Sequence, residues 1–373
     1  MEQHKTDINY QFKALIGLGI IFVVCGHTGC PILSFNGLFN YDSFHMPLFI
    51  FASGYFLKEK SNLRKELRNN FKRLIVPLIL WTVIYGIILT FLRNTYPFNF
   101  KLGMDLSIST FPEYVYRTLA LGNASELNVP SWFLLTIFFI KIQAIVIRKL
   151  IDGISLYKRD VSILIFYLLV SFMGMWLSKH KEILFLFKIQ ICRVLYLSFY
   201  YELGHFYRKL LEEKDNLDTN KYIFICLLLQ CILLFINKGN EVSIIYNMKL
   251  PLSYLSTLLF AMNGIAFWLR ISRCIMKLWK ENFLLKRISN YSIDIMMHHA
   301  FILKLINGIF WIMSVKLGLF SEFSSLEYKS NIWYMYLPYG KIQFTYFYAF
   351  IGIIGTLIII TICREKKFNV MEE

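Results

Sequence analysis

Apolar runs of roughly 17 to 25 residues recur along this chain from Phe12 to Cys363, separated by short polar stretches, and no other feature restricts the fold as tightly. At 1.5 Å of rise per residue, each run can cross a hydrocarbon core ~30 Å thick as a helix. A membrane-spanning barrel would need alternating apolar and polar residues with tight turns, whereas these runs are apolar all round. The expected fold is therefore all-α, a polytopic membrane protein with about ten transmembrane helices. The spans are expected at 12–29, 44–57, 74–92, 131–148, 161–178, 190–207, 221–237, 251–269, 288–315 and 344–363. With 57% of its 373 residues hydrophobic and a mean hydropathy of +0.51, the chain has almost nothing left for a soluble domain. One transmembrane domain over 1–373 is expected. The first run meets no small-residue cleavage site before the next polar stretch and reads as a retained helix.

The formal net charge of +16 would suit nucleic acid, but its distribution points to a membrane. Lysines and arginines gather in alternate loops. With the amino terminus taken as cytoplasmic, inner segments hold 26 of them: Lys5 and Lys13, then the stretches from Lys58 to Arg73, Arg148 to Arg159, Arg208 to Lys221, Arg270 to Arg287 and Arg364 to Lys367. Outer segments hold 11. The positive-inside rule then places both termini in the cytoplasm, as in a multi-pass protein of the cell inner (plasma) membrane. No motif supports nucleic acid as a partner. Seven cysteines without a CxxC pair imply neither a disulfide framework nor a metal site. Two outer loops are long, Arg93 to Pro130 and Lys316 to Gln343. They carry aromatics and the turn residues Pro97, Pro112, Pro338 and Gly340, and could cap a cavity from outside. No internal repeat is evident, so the inverted repeats of many secondary transporters are missing.

Ionisable groups are costly at the bilayer centre, so each one inside a span is a functional candidate. They are His27, His45, Lys141, Arg193, Glu202, Asp294, His298, His299 and Lys304. Histidines dominate. His27 lies ~20 Å above the cytoplasmic start of the first span and His299 ~17 Å into the ninth, while His45 opens the descending second span. All three fall in the middle to outer half, where an imidazole aimed into a cavity could deprotonate an acceptor hydroxyl. The alternative is that they are packing or interfacial histidines satisfied by backbone carbonyls. Lys13 lies 14 residues before His27, within about 40° of the same helix face and ~21 Å below it. A cation low on a cavity wall with a base high on it suits an anionic donor entering from the cytoplasm; snorkelling of Lys13 to lipid phosphates is the alternative.

Five segments in order carry a resemblance: FKALIGLGIIFVVCGH (Phe12 to His27), SFHMPLFIFASGYF (Ser43 to Phe56), KRLIVPLILW (Lys72 to Trp81), PSWFL (Pro130 to Leu134) and YSIDIMMHHAF (Tyr291 to Phe301). The chain resembles the acyltransferase family 3 membrane proteins, of the fucose 4-O-acetylase-like kind, along its whole length. The second segment is the most specific. The resemblance implies about ten spanning helices and O-acylation of surface glycans from cytoplasmic acyl-CoA. His27 matches the first-helix histidine assigned the acid/base role. His45, Ser53 and Gly54 match the second motif, Arg73 and Pro77 the basic entry to the third helix, and Trp132 the tryptophan opening the fourth. His299 matches the late histidine, ahead of its neighbour His298. One departure stands out: the family usually has Arg or Lys eleven residues before its first histidine, where this chain has Ile16. Lys13 sits one turn lower on nearly the same face and is the expected replacement.

The resulting expectation is an enzyme, a membrane O-acetyltransferase that moves acetyl from acetyl-CoA to a sugar hydroxyl of an exported or lipid-linked polysaccharide. The partners are then acyl-CoA, a glycan acceptor and the lipid bilayer, with no metal. His27 would be the general base and His45 or His299 would orient it or meet the oxyanion. Lys13 and Arg73 would hold donor phosphates, and Trp132 would stack on adenine or on sugar, unless it is only an interfacial-belt tryptophan. The rivals are a proton-coupled polysaccharide or small-solute transporter, another histidine-based membrane acyltransferase, and a structural protein. Costly intramembrane histidines argue against the last.

Overall fold

The computed structural model describes residues 9–369 except 36, 60–61, 97, 99–104, 123, 152–155, 181–182, 184–186, 241–243 and 279–282, without the side chains of 156–158 and 363–369. Lys5, Pro97, and the side chains of Arg364 and Lys367 lie outside the described residues. The described residues contain no strand, only an isolated bridge between Ile244 and Lys249. The helices are α1 (Tyr10–Thr28), α2 (Tyr41–Tyr55), α3 (Leu63–Asn70), α4 (Val76–Thr95), α5 (Phe111–Leu121), α6 (Trp132–Leu150), α7 (Leu156–Lys179), α8 (Lys188–Phe206), α9 (Thr219–Ile236), α10 (Tyr254–Leu278), α11 (Phe283–Asn290), α12 (Ser292–Leu317), α13 (Ser325–Ser330) and α14 (Phe344–Asn369).

Among the described residues, eight helical segments are long and apolar enough to cross a membrane, which makes the chain an all-α polytopic membrane protein. The two expected spans outside that set form α2 and α8. With 15 residues, α2 falls short in length, and α8 is polar, carrying Gln190, Arg193, Glu202 and His205, all buried. Both sit against other helices and so need no lipid-facing apolar surface. They meet at glycines. A Cβ on Gly54 would fall 1.8 Å from the Tyr201 carbonyl, and one on Gly204 2.0 Å from that of Phe51, so only glycine allows the two backbones this close. The outward faces are apolar instead: on α9, Phe224 is 64% exposed and Phe235 87%, surface that suits lipid.

Helices α3 and α4 run on through a π turn, Phe71–Ile75, in which Val76 N–H donates to the Phe71 carbonyl. Pro77 follows directly. Proline lacks a donor and crowds the carbonyl four residues earlier, that of Arg73; the widened turn absorbs the clash and sets the orientation of Arg73. At its other end the chain starts α1 with Asn9, whose side chain caps Phe12 N–H, and ends it at Gly29 in the left-handed conformation, with φ 65°. His27 thus occupies the last turn of a helix fixed at both ends.

Candidate active site

Two cavities are stacked along α1. The larger, about 680 Å³, is walled by α1, α2, α6 and the start of α12, and four cations line it: Lys13, Lys58, Arg73 and Lys141. Lys13 Nζ donates to Asn290 Oδ1 at 2.8 Å, which ties it to the end of α11. Ile16 lines the same cavity one turn above Lys13. The body of the cavity is apolar, with Phe12, Phe49, Phe133 and Ile137 among its walls, and Ser53 also faces it. A charged rim on an apolar shaft fits a polyphosphate group carrying a less polar arm.

The smaller cavity, about 90 Å³, is lined by His27, Asp42, His45, Met46, Trp132, Tyr246 and Met296 among others. The rings of His27 and His299 lie 5.2 Å apart, and the opposite neighbour of His27 is Trp333, stacked at 4.2 Å and 7° between planes. His299 is fully buried. Its Nδ1 lies 2.8 Å from the Ile295 carbonyl, which can only accept, so Nδ1 carries the proton and Nε2 presents a lone pair without a protein partner. The Nδ1 of His45 likewise donates to the Tyr41 carbonyl, at 2.5 Å. His298 points elsewhere, bonded to the Tyr85 hydroxyl at 2.7 Å and packed on Trp81.

Of the residues expected from sequence, the fold brings His27, His45 and Trp132 into the smaller cavity, with His299 behind His27, and Lys13 and Arg73 into the larger one. Trp132 therefore stands in a different cavity from Lys13 and Arg73. Sequence reasoning did not single out Asp42 or Trp333. Asp42 precedes His45 by three residues and shares its helix face, a spacing that was readable. Trp333 is one of many aromatics in an outer loop, and nothing in its spacing marks it.

The intramembrane cations hold the walls. Arg193 stacks on Trp132 at 4.4 Å and on Tyr246 at 5.2 Å, and donates to the carbonyls of Leu121 (2.6 Å) and Tyr246. Lys304 donates to the carbonyls of Tyr328 and Asn331, the latter at 3.1 Å, and so anchors the loop that carries Trp333. Lys141 faces the larger cavity, and Asp294 lies in the first turn of α12. Glu202 pairs with Arg148, which also bonds Asp160 at 3.0 Å. Beside them, Glu59, Asp160 and His205 offer atoms within 4.8 Å of one another, a spacing that a metal ion could use. Positive charge is already supplied there by Lys209, 2.5 Å from Glu59 and 2.7 Å from Asp160, and by Arg159, 3.1 Å from Glu59. Glu59 lies outside the spans. Burial raises its pKa, but Lys209, His205 and Arg148 more than offset this and hold it down at about 2.

A family model described as an acyltransferase domain matches residues 9–365. No curated protein and no solved structure matches the chain.

Proposed function

From the premise that this chain belongs to acyltransferase family 3 and is a multi-pass membrane acyltransferase, we propose that it moves an acetyl group from cytoplasmic acetyl-CoA to a sugar hydroxyl of an exported or lipid-linked polysaccharide. The observation that carries this reading is the stacking of the two cavities: a shaft rimmed by Lys13, Lys58, Arg73 and Lys141 that ends at Met296, directly below the chamber of His27 and His45. The four cations fit the phosphates of CoA, and the apolar shaft fits its arm. Cationic residues at that mouth agree with the positive-inside orientation, which would put the mouth in the cytoplasm of an inner membrane and the chamber toward the far side.

His27 is the base. It removes the proton of the acceptor hydroxyl as the oxygen attacks the thioester carbonyl; a C–O bond forms, the C–S bond breaks, and the sulfur leaves with a proton returned from the imidazolium. The tautomers divide the remaining roles. His299 and His45 both donate Nδ1–H to backbone carbonyls, so as neutral rings they offer only lone pairs and are poorly suited to meet an oxyanion. Nε2 of His299, whose ring lies 5.2 Å from that of His27, suits the ring N–H that His27 must hold while its other nitrogen takes the proton. Trp333 fixes the plane of His27. Trp132, beside His45 and apart from the cationic rim, favours the sugar over adenine as its stacking partner.

The test incubates purified protein with radiolabelled acetyl-CoA and a mixed pool of bacterial surface glycans, comparing wild type with His27→Ala. Label is expected in glycan with wild type alone, with a loss on the order of 10²- to 10⁴-fold in the variant. If wild type only hydrolyses acetyl-CoA slowly and His27→Ala does not, the donor chemistry stands and the pool lacks the acceptor. Absence of both binding and turnover in wild type overturns acetyl-CoA as the donor.

A further inference from the structure

One side chain faces both cavities. Met296 lines the 680 Å³ shaft and the 90 Å³ chamber alike, whereas every other helix changes residue at the boundary: on α2 from Phe49 to Met46, and at the start of α6 from Phe133 to Trp132. Phe49 and Phe133 lean together with ring centroids 5.9 Å apart. On the α1 side Gly19 leaves no slack, since a Cβ there would lie 3.0 Å from the Phe49 ring. Met296 is 5% exposed and lies three residues, nearly one turn, below His299. The neck is therefore closed by two close-packed rings and by one unbranched thioether. The thioether has the extra rotatable bonds and the softer shape, and is the element that can yield.

We propose that Met296 is both gate and ruler of this enzyme. Resting on the reading that acyl-CoA fills the shaft, the acyl group reaches His27 by displacing the Met296 side chain. The space so released, opening on a chamber the size of a few water molecules, admits a short acyl group and rejects a longer one. The donor class is then set at Met296 rather than at the cationic rim, which sees only the phosphates common to every acyl-CoA. The residue touches no reacting atom before the gate opens, so its signature is a change of chain-length preference and a split between binding and turnover.

The experiment compares acetyl-CoA with butyryl-CoA as donors for wild type, Met296→Ala and Met296→Trp, reading both acyl transfer to glycan and donor hydrolysis, and measures affinity for CoA itself by calorimetry. Wild type should favour acetyl. Met296→Ala should shift the butyryl-to-acetyl ratio of kcat/KM by roughly tenfold or more, the discrimination that one or two methylenes give in an apolar pocket. Met296→Trp should bind CoA within about twofold of wild type and lose most turnover with both donors. An active wild type with the same ratio in Met296→Ala overturns the gate and leaves the acetyl-transfer reading standing, even if Met296→Trp does not fold. A wild type inert toward every acyl-CoA overturns that reading, and the gate with it.

Discussion

Beyond α2, Arg148 lies between Asp160 and Glu202 with Glu59, Arg159 and Lys209 around them, so every charge has an opposite within 4.0 Å. Around α1 and α12 rings stand where those opposite charges do: His27 lies against the rings of His299 and Trp333. Both clusters place ionisable groups where burial is costly, but only the first offsets that cost with opposite charge. Polar groups that exist to hold helices together are neutralised in place. Groups left facing a cavity are available to a substrate, and it is to these that the chemistry has been assigned above.

Breaking the neutralised cluster should have the largest effect on stability. Arg148→Ala strands the carboxylate of Glu202, whose side chain is 0% exposed, and leaves Asp160 with Lys209 at 2.7 Å; it should cost ~3–5 kcal/mol because a buried anion loses its cation. Thermal unfolding in detergent reads it directly. His27→Ala, which removes acyl transfer, should stay within about 1 kcal/mol of wild type on the same scale. Equal destabilisation by the two variants would erase the distinction between them.

That distinction was only half legible in the sequence. The helices followed from the apolar runs, since nothing but helix satisfies the backbone of such a run in lipid. His27, His45 and His299 stood out as polar residues inside spans. Arg148, Arg159 and Lys209 did not, because cations near span ends are what the positive-inside rule expects, and their role as partners of Glu59, Asp160 and Glu202 depends on which helices are neighbours. The stacking of Trp333 on His27 was hidden for the same reason: it joins the first helix to the last outer loop, and no local spacing records it. That Trp132 shares a cavity with His45 was likewise not readable, because the two lie on different helices.

The shaft tests the comparison from the other side, because its four cations line a cavity and, among the described residues, no carboxylate is paired with Lys13, whose hydrogen bond goes to the neutral Asn290. Lys13→Ala should raise KM for acetyl-CoA roughly five- to tenfold with little change in kcat, the mark of a binding contact shared by ground state and transition state. Adding Ile16→Arg to that variant should bring KM back, since both positions line the same wall. Unaltered KM in Lys13→Ala would leave Lys13 with only its bond to Asn290.

The smallest effect belongs to Glu59, a partly exposed member of the neutralised cluster. Lys209, His205 and Arg148 hold its folded pKa at about 2 against the burial that raises it, below the ~4.3 of an unfolded glutamate. A depressed carboxylate stabilises the fold fully above its unfolded pKa and loses that contribution as pH falls through the folded value, so the loss should run from about pH 4.3 down to 2. The readout is the difference in Tm between wild type and Glu59→Gln at each pH, which removes the background common to both proteins. It should be largest near neutrality and shrink toward zero in that window. A difference independent of pH would mean that Glu59 acts through hydrogen bonds alone, and that the cluster holds its helices by geometry more than by charge.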